Sequence, residues 1–98
     1  MKAEFIIVVY SNAHYMDESE AYSLTGFASY TEALVKSKEI VERSLEELYK
    51  PENSASEWLS AYKMFGDDPV IAPTPASEPP FSAWEYASTY VANRANRE

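Results

Sequence analysis

The sequence predicts a single α+β domain over residues 1–98: a small antiparallel sheet packed against about three helices, in the order β-β-α-α-(β)-α. Three observations carry this. A β-branched apolar run stands near the start, three Ser-x-x-Glu boxes each open a stretch with helical spacing, and a proline-rich connection separates the last two helices.

The run EFIIVVY (4–10) is too short for a helix and reads as a strand covered on both faces, central to the sheet. AYSLTGF (21–27) sets Tyr22 and Leu24 against Ser23 and Thr25 and then meets Gly26, a half-exposed strand with a bulge or close backbone approach at the glycine. The two form an antiparallel hairpin with a long connection.

Ser29 and Glu32 form the first capping box, and a helix follows to about Tyr49. Ala33, Leu34, Ser37, Ile40, Val41, Leu45 and Leu48 share its apolar stripe, while Glu32–Lys36 and Glu39–Arg43 are i,i+4 pairs on the wet side. Lys50 and Pro51 end it. Ser54 and Glu57 open a second, shorter helix with Trp58, Tyr62 and Phe65 on one face and Gly66 as a left-handed terminator. Ser82 and Glu85 open a third, with Phe81 and Tyr86 as a hydrophobic staple and Trp84, Ala87, Val91 and Ala95 as its buried stripe. Residues 66–80 hold five of the six prolines and cannot be helical; within them VIA (70–72) fits a short edge strand, because Pro69 and Pro73 cannot donate inside a sheet centre.

Composition narrows the function classes. Aromatic residues are 14% of the chain, enough large side chains to offset chain entropy, so disorder is not expected. No cysteine is present, which removes disulfides, thiolate nucleophiles and thiolate metal sites. Phe5–Tyr10 is too short for a signal-peptide core or a membrane span, so a cytoplasmic protein without a membrane contact is expected. The net charge of −8, with Lys36, Lys38 and Arg43 set among glutamates, disfavours nucleic-acid binding through a basic face. Gly26 and Gly66 are too far apart for a glycine-rich phosphate loop, and no cofactor is expected.

Two acidic clusters are candidate ligand sites. His14, the only histidine, stands near Asp17 and Glu18, which would supply an oriented imidazole base or one nitrogen and two oxygen metal ligands. Against this, zinc sites want further Cys or His ligands, and Asp17 with Glu20 repeats the capping box in its Asp form, so no metal is assigned. Asp67 and Asp68 follow Gly66; paired acids can hold a hard cation, but adjacent residues seldom point the same way and Gly-Asp-Asp-Pro is ordinary turn chemistry. Any site at His14 would have to be completed from elsewhere, with Asp67 and Asp68 the nearest candidates. Trp58, Tyr62, Trp84, Tyr86 and Tyr90 are the candidate interaction surface, although aromatics at helical spacing usually belong to a core. Ser29, Ser54 and Ser82 are explained as caps, not nucleophiles.

HYMDESEAYSLTGFASYTEAL, MFGDDPVI and PFSAWEYA, in this order, resemble a family of small uncharacterised bacterial proteins with HYMDE, MFGxDP and PFSAW segments. The resemblance spans roughly residues 5 to 90 and implies a soluble bacterial or phage-derived domain, with no activity, cofactor or catalytic residue attached. Three function classes follow. The favoured one is an interaction or self-associating module, since a thin-cored chain gains from dimerisation. The second is a small-molecule or metal-binding protein or enzyme around His14, Asp17 and Glu18. The third is an acidic nucleic-acid mimic, for which the charge suffices although simple solubility explains it.

Overall fold

The structure, a computed structural model, describes residues 5–11 and 21–95. Its elements are β1 (Phe5–Ser11), β2 (Tyr22–Phe27), α1 (Tyr30–Leu48), α2 (Ala55–Phe65), β3 (Asp67–Ala72) and α3 (Ala83–Ala95). The three strands form one antiparallel sheet in the order β2-β1-β3, so the apolar N-terminal run is central, as its β-branched composition predicts.

Register assigns every strand residue to a face. Ile7 lies opposite Leu24 on one side and Ile71 on the other, and Val8 lies opposite Ser23 and Val70. Phe5, Ile7, Val9, Leu24, Phe27 and Ile71 therefore share one face, and with Tyr30, Ala33 and Ile40 of α1 they form the first hydrophobic cluster. Burying Ile7 and Val9 completely contributes about 1.5–3 kcal/mol each. Between Phe5 and Ile7 the pairing skips from Phe27 to Leu24, placing an extra residue on β2. Gly26 adopts φ +90° there, the left-handed geometry that glycine takes without a Cβ penalty. The glycine marks a bulge, as its position in the strand suggests.

The capping serines act as predicted. Ser29 Oγ accepts from Glu32 N–H at 3.1 Å, and Glu32 Oε2 reaches one residue further back, to Ala28 N–H at 2.9 Å. Ser54 and Glu57 close a reciprocal box, and Ser82 Oγ accepts from Glu85 N–H at 3.3 Å. At the end of α1, Tyr49 N–H turns to Glu46 O, and Trp58 Nε1 donates to the Leu45 carbonyl at 2.7 Å. The indole thus satisfies one of the carbonyls a helix end leaves over. Trp58, Tyr62, Val41, Leu45, Ala83, Ala87 and Val91 make a second cluster between the three helices.

Several expectations are corrected. Among the described residues the sheet is not covered on both faces: Ile6 and Val8 are only half-buried and Tyr10 is exposed, because the first cluster draws its strand residues from the other face and the second contains none. β3 begins at Asp67, not Val70. It includes the buried Pro69 opposite Val9, which an edge strand tolerates because one side carries no partner strand. Gly66 is extended (φ −78°, ψ 172°) and not left-handed. It is a glycine because a Cβ there would overlap the Tyr62 ring. In α3 the inward stripe is Ala83, Ala87 and Val91, which leaves Trp84 43% exposed; the small Ala83 lets the helix approach closely where an indole would not fit. Phe65 is 59% exposed, because α2 ends there and the chain turns into β3. Lys36 pairs with Glu39 at 3.9 Å, in place of the i,i+4 partner read from spacing. The side chain of Ala95 lies outside the described residues.

Candidate functional site: the outer sheet face and the helix grooves

His14, Asp17 and Glu18, and the Asp17–Glu20 cap, lie outside the described residues. Asp67 and Asp68 are described, at the start of β3 opposite Ser11 and Tyr10. As successive strand residues they project to opposite faces, so the two carboxylates do not converge on one ligand. Asp67 lies on the helix side. Its N–H donates to Ser44 Oγ at 3.0 Å, its carbonyl accepts from Tyr62 Oη at 2.6 Å, and it lines a pocket of about 180 Å³ with Tyr22, Lys36, Glu39 and Arg43. Burial pushes both carboxyls above the usual carboxylate range, and Glu47 adds to this at Asp67. Among the described residues no group of three or more His, Asp or Glu side chains is placed to hold a metal ion. No described helix is long and apolar enough to cross a membrane.

The five aromatic candidates separate. Trp58 and Tyr62 are buried between the helices, with the Arg94 guanidinium lying over the Trp58 ring. Tyr86 and Tyr90 are half-buried along the seam of α1 and α3. Tyr86 Oη donates to Glu42 Oε2 and Tyr90 Oη to Glu46 Oε2 at 3.0 Å. Burial first and then Glu42 push the Tyr86 phenol up to about 12. Trp84 is exposed, with the Lys63 ammonium 5.4 Å from its ring centre.

Two arrangements have no local signal in the sequence. The first is the outer face of the sheet, where register collects Ile6, Val8, Tyr10, Val70 and Ala72, with Ser23 beside Val8 and Asp68 beside Tyr10 at one end. Tyr10 and Val70 are 42% and 41% exposed, and none of the five belongs to either hydrophobic cluster. The alternation was hidden because both faces of β1 are apolar. The second surrounds Arg94, whose guanidinium carbon lies 5.3 Å from the Tyr49 ring centre and 5.9 Å from that of Trp58, while Nη1 donates to Glu46 Oε2 at 2.7 Å. Tyr90 stands edge-on to Trp58 at 6.2 Å. These residues come from α1, α2 and α3 and meet only in the fold. No family model, curated protein or solved structure matches the chain.

Proposed function

We propose that the protein is an interaction module that associates through the outer face of its sheet, and that the occupant is a second copy of the chain. The observation that carries this is the one-sided burial of β1 and β3, which leaves Ile6, Val8, Tyr10, Val70 and Ala72 side by side and outside both cores. Domains are stable when each apolar sheet face meets another layer, and two such faces stack about 10 Å apart. A two-fold axis through the face would bring Val8 and Val70 of each copy against the other's.

Size and charge set the strength. Three strands of about six residues present roughly 300 Å², well below the roughly 800 Å² per partner of a stable interface. The association is therefore weak and reversible. A net charge of −8 on each copy opposes it, so added salt should strengthen it, the reverse of what an acidic nucleic-acid mimic would show with a basic partner. Sedimentation velocity across concentration tests the reading. The expected result is a monomer–dimer equilibrium that tightens with salt and is abolished by Val8→Glu or Val70→Glu, with the monomer still folded. A chain that stays monomeric at millimolar concentration in high salt would refute it.

A further inference from the structure

The geometry points to a second binding site, independent of the sheet face: Tyr49, Trp58, Tyr90 and Glu46 form a receptor for a guanidinium group presented by a basic polypeptide, and Arg94 is its resident occupant. The rings of Tyr49 and Trp58 meet edge to face at 5.0 Å, and Tyr90 meets Trp58 in the same way. Ring faces attract a cation within about 6 Å, and a carboxylate at the rim adds a charge-assisted hydrogen bond. Arg94 uses both kinds of contact, over Tyr49 and Trp58 and to Glu46.

The occupant is exchangeable by position. Arg94 stands one residue from the end of α3, its side chain is one third exposed, and its ion pair with Glu46 lies at the solvent boundary, where such pairs are weak and readily exchanged. Arg94 is also the wall between two recesses. One of about 340 Å³ lies toward Glu42, Tyr86 and Tyr90, and one of about 60 Å³ lies toward Pro51 and Ser54. Swinging Arg94 away joins them into one groove with the aromatic rings at its floor and Glu42 and Glu46 on its flank. A groove rimmed with carboxylates on a chain of net charge −8 favours a basic occupant. Arginine fits better than lysine, because its planar fork stacks on rings while it pairs with a carboxylate.

The test uses N-acetyl-arginine amide as probe, with N-acetyl-citrulline amide as its neutral isostere, and Trp58 fluorescence as readout in a Trp84→Phe background. Arg94→Gln shortens the side chain, keeps it polar and removes the tethered competitor, whose effective concentration is in the millimolar range. The expected result is saturable quenching by the arginine amide in Arg94→Gln, at least about tenfold tighter than with Arg94 present, lost on adding Glu46→Gln and absent with citrulline. Equal response to citrulline, no saturation, or no gain from Arg94→Gln would overturn the proposal. Arg94→Lys, which keeps the charge without the fork, should bind with intermediate affinity. If far-UV circular dichroism shows that both variants have lost the fold, Arg94 is a structural plug and the proposal fails.

Discussion

The two faces of β1 carry the same chemistry and meet different fates. Phe5, Ile7 and Val9 are buried beneath α1, whereas Ile6 and Val8, equally apolar, are half-buried and continue into the exposed Tyr10. The difference lies in what the rest of the chain supplies. α1 brings Tyr30, Ala33 and Ile40 to one face, and no described element contributes to a cluster on the other. An apolar run on a central strand therefore specifies a strand, but its second face specifies a need for cover.

The sharpest way to break this comparison is a pair of truncations. Ile7→Ala should lower the unfolding free energy by about 2–5 kcal/mol in urea titration, while Val8→Ala should cost under about 1 kcal/mol at low protein concentration. Equal losses would mean that the outer face is packed in the monomer. Next comes the β3 anchor: Gly66→Ala forces a methyl group into the Tyr62 ring and should cost about 1–3 kcal/mol, with a lower thermal midpoint. Gly26→Ala meets nothing within 4 Å, so only its positive φ opposes the change, at about 1 kcal/mol.

A smaller effect belongs to the carboxylates. The carboxyls of Asp67 and Asp68 hold their protons more tightly folded than unfolded, because burial disfavours the charged form. Stability from this source is complete below the ordinary carboxylate range and is lost as pH rises through the raised folded values. Asp68→Asn and Asp67→Asn should each stabilise at pH 7 by under about 1 kcal/mol and flatten the pH dependence of the urea midpoint on the alkaline side of the ordinary carboxylate range. A loss of stability at pH 7 would instead mark a favourable charge contact. The smallest change is Ser37→Ala. Ser37 is fully buried in α1 and its Oγ has no hydrogen-bond partner among the described residues, so removing the hydroxyl should be neutral or stabilising by up to about 1 kcal/mol in thermal unfolding.

Much of the fold was legible because its signals are local. Each Ser-x-x-Glu signal joins residues three apart, and the three serines cap the helices that spacing predicts, although only Ser54 and Glu57 close the reciprocal box. Gly26 marked a bulge for the same reason. In α3, Ala87 and Val91 point inward as the spacing predicts, but Ala83 and not Trp84 continues their stripe: both share a face with Ala87, and only the closeness of approach to α1 and α2 separates the two. The candidate surface was less legible. Trp58 and Tyr62 have the same spacing whether they line a core or a partner's groove, and it is the Leu45 carbonyl and the β3 start that hold them inside.

By itself, the sequence determined the α+β class, the element order and the caps, all consequences of interactions between residues a few positions apart. The tertiary structure alone decided which face of the sheet the described residues leave outside both cores, and that Arg94 comes to rest between Tyr49 and Trp58 against Glu46. Those outcomes depend on groups brought together across tens of residues, and no spacing along the chain encodes a distance that only packing creates.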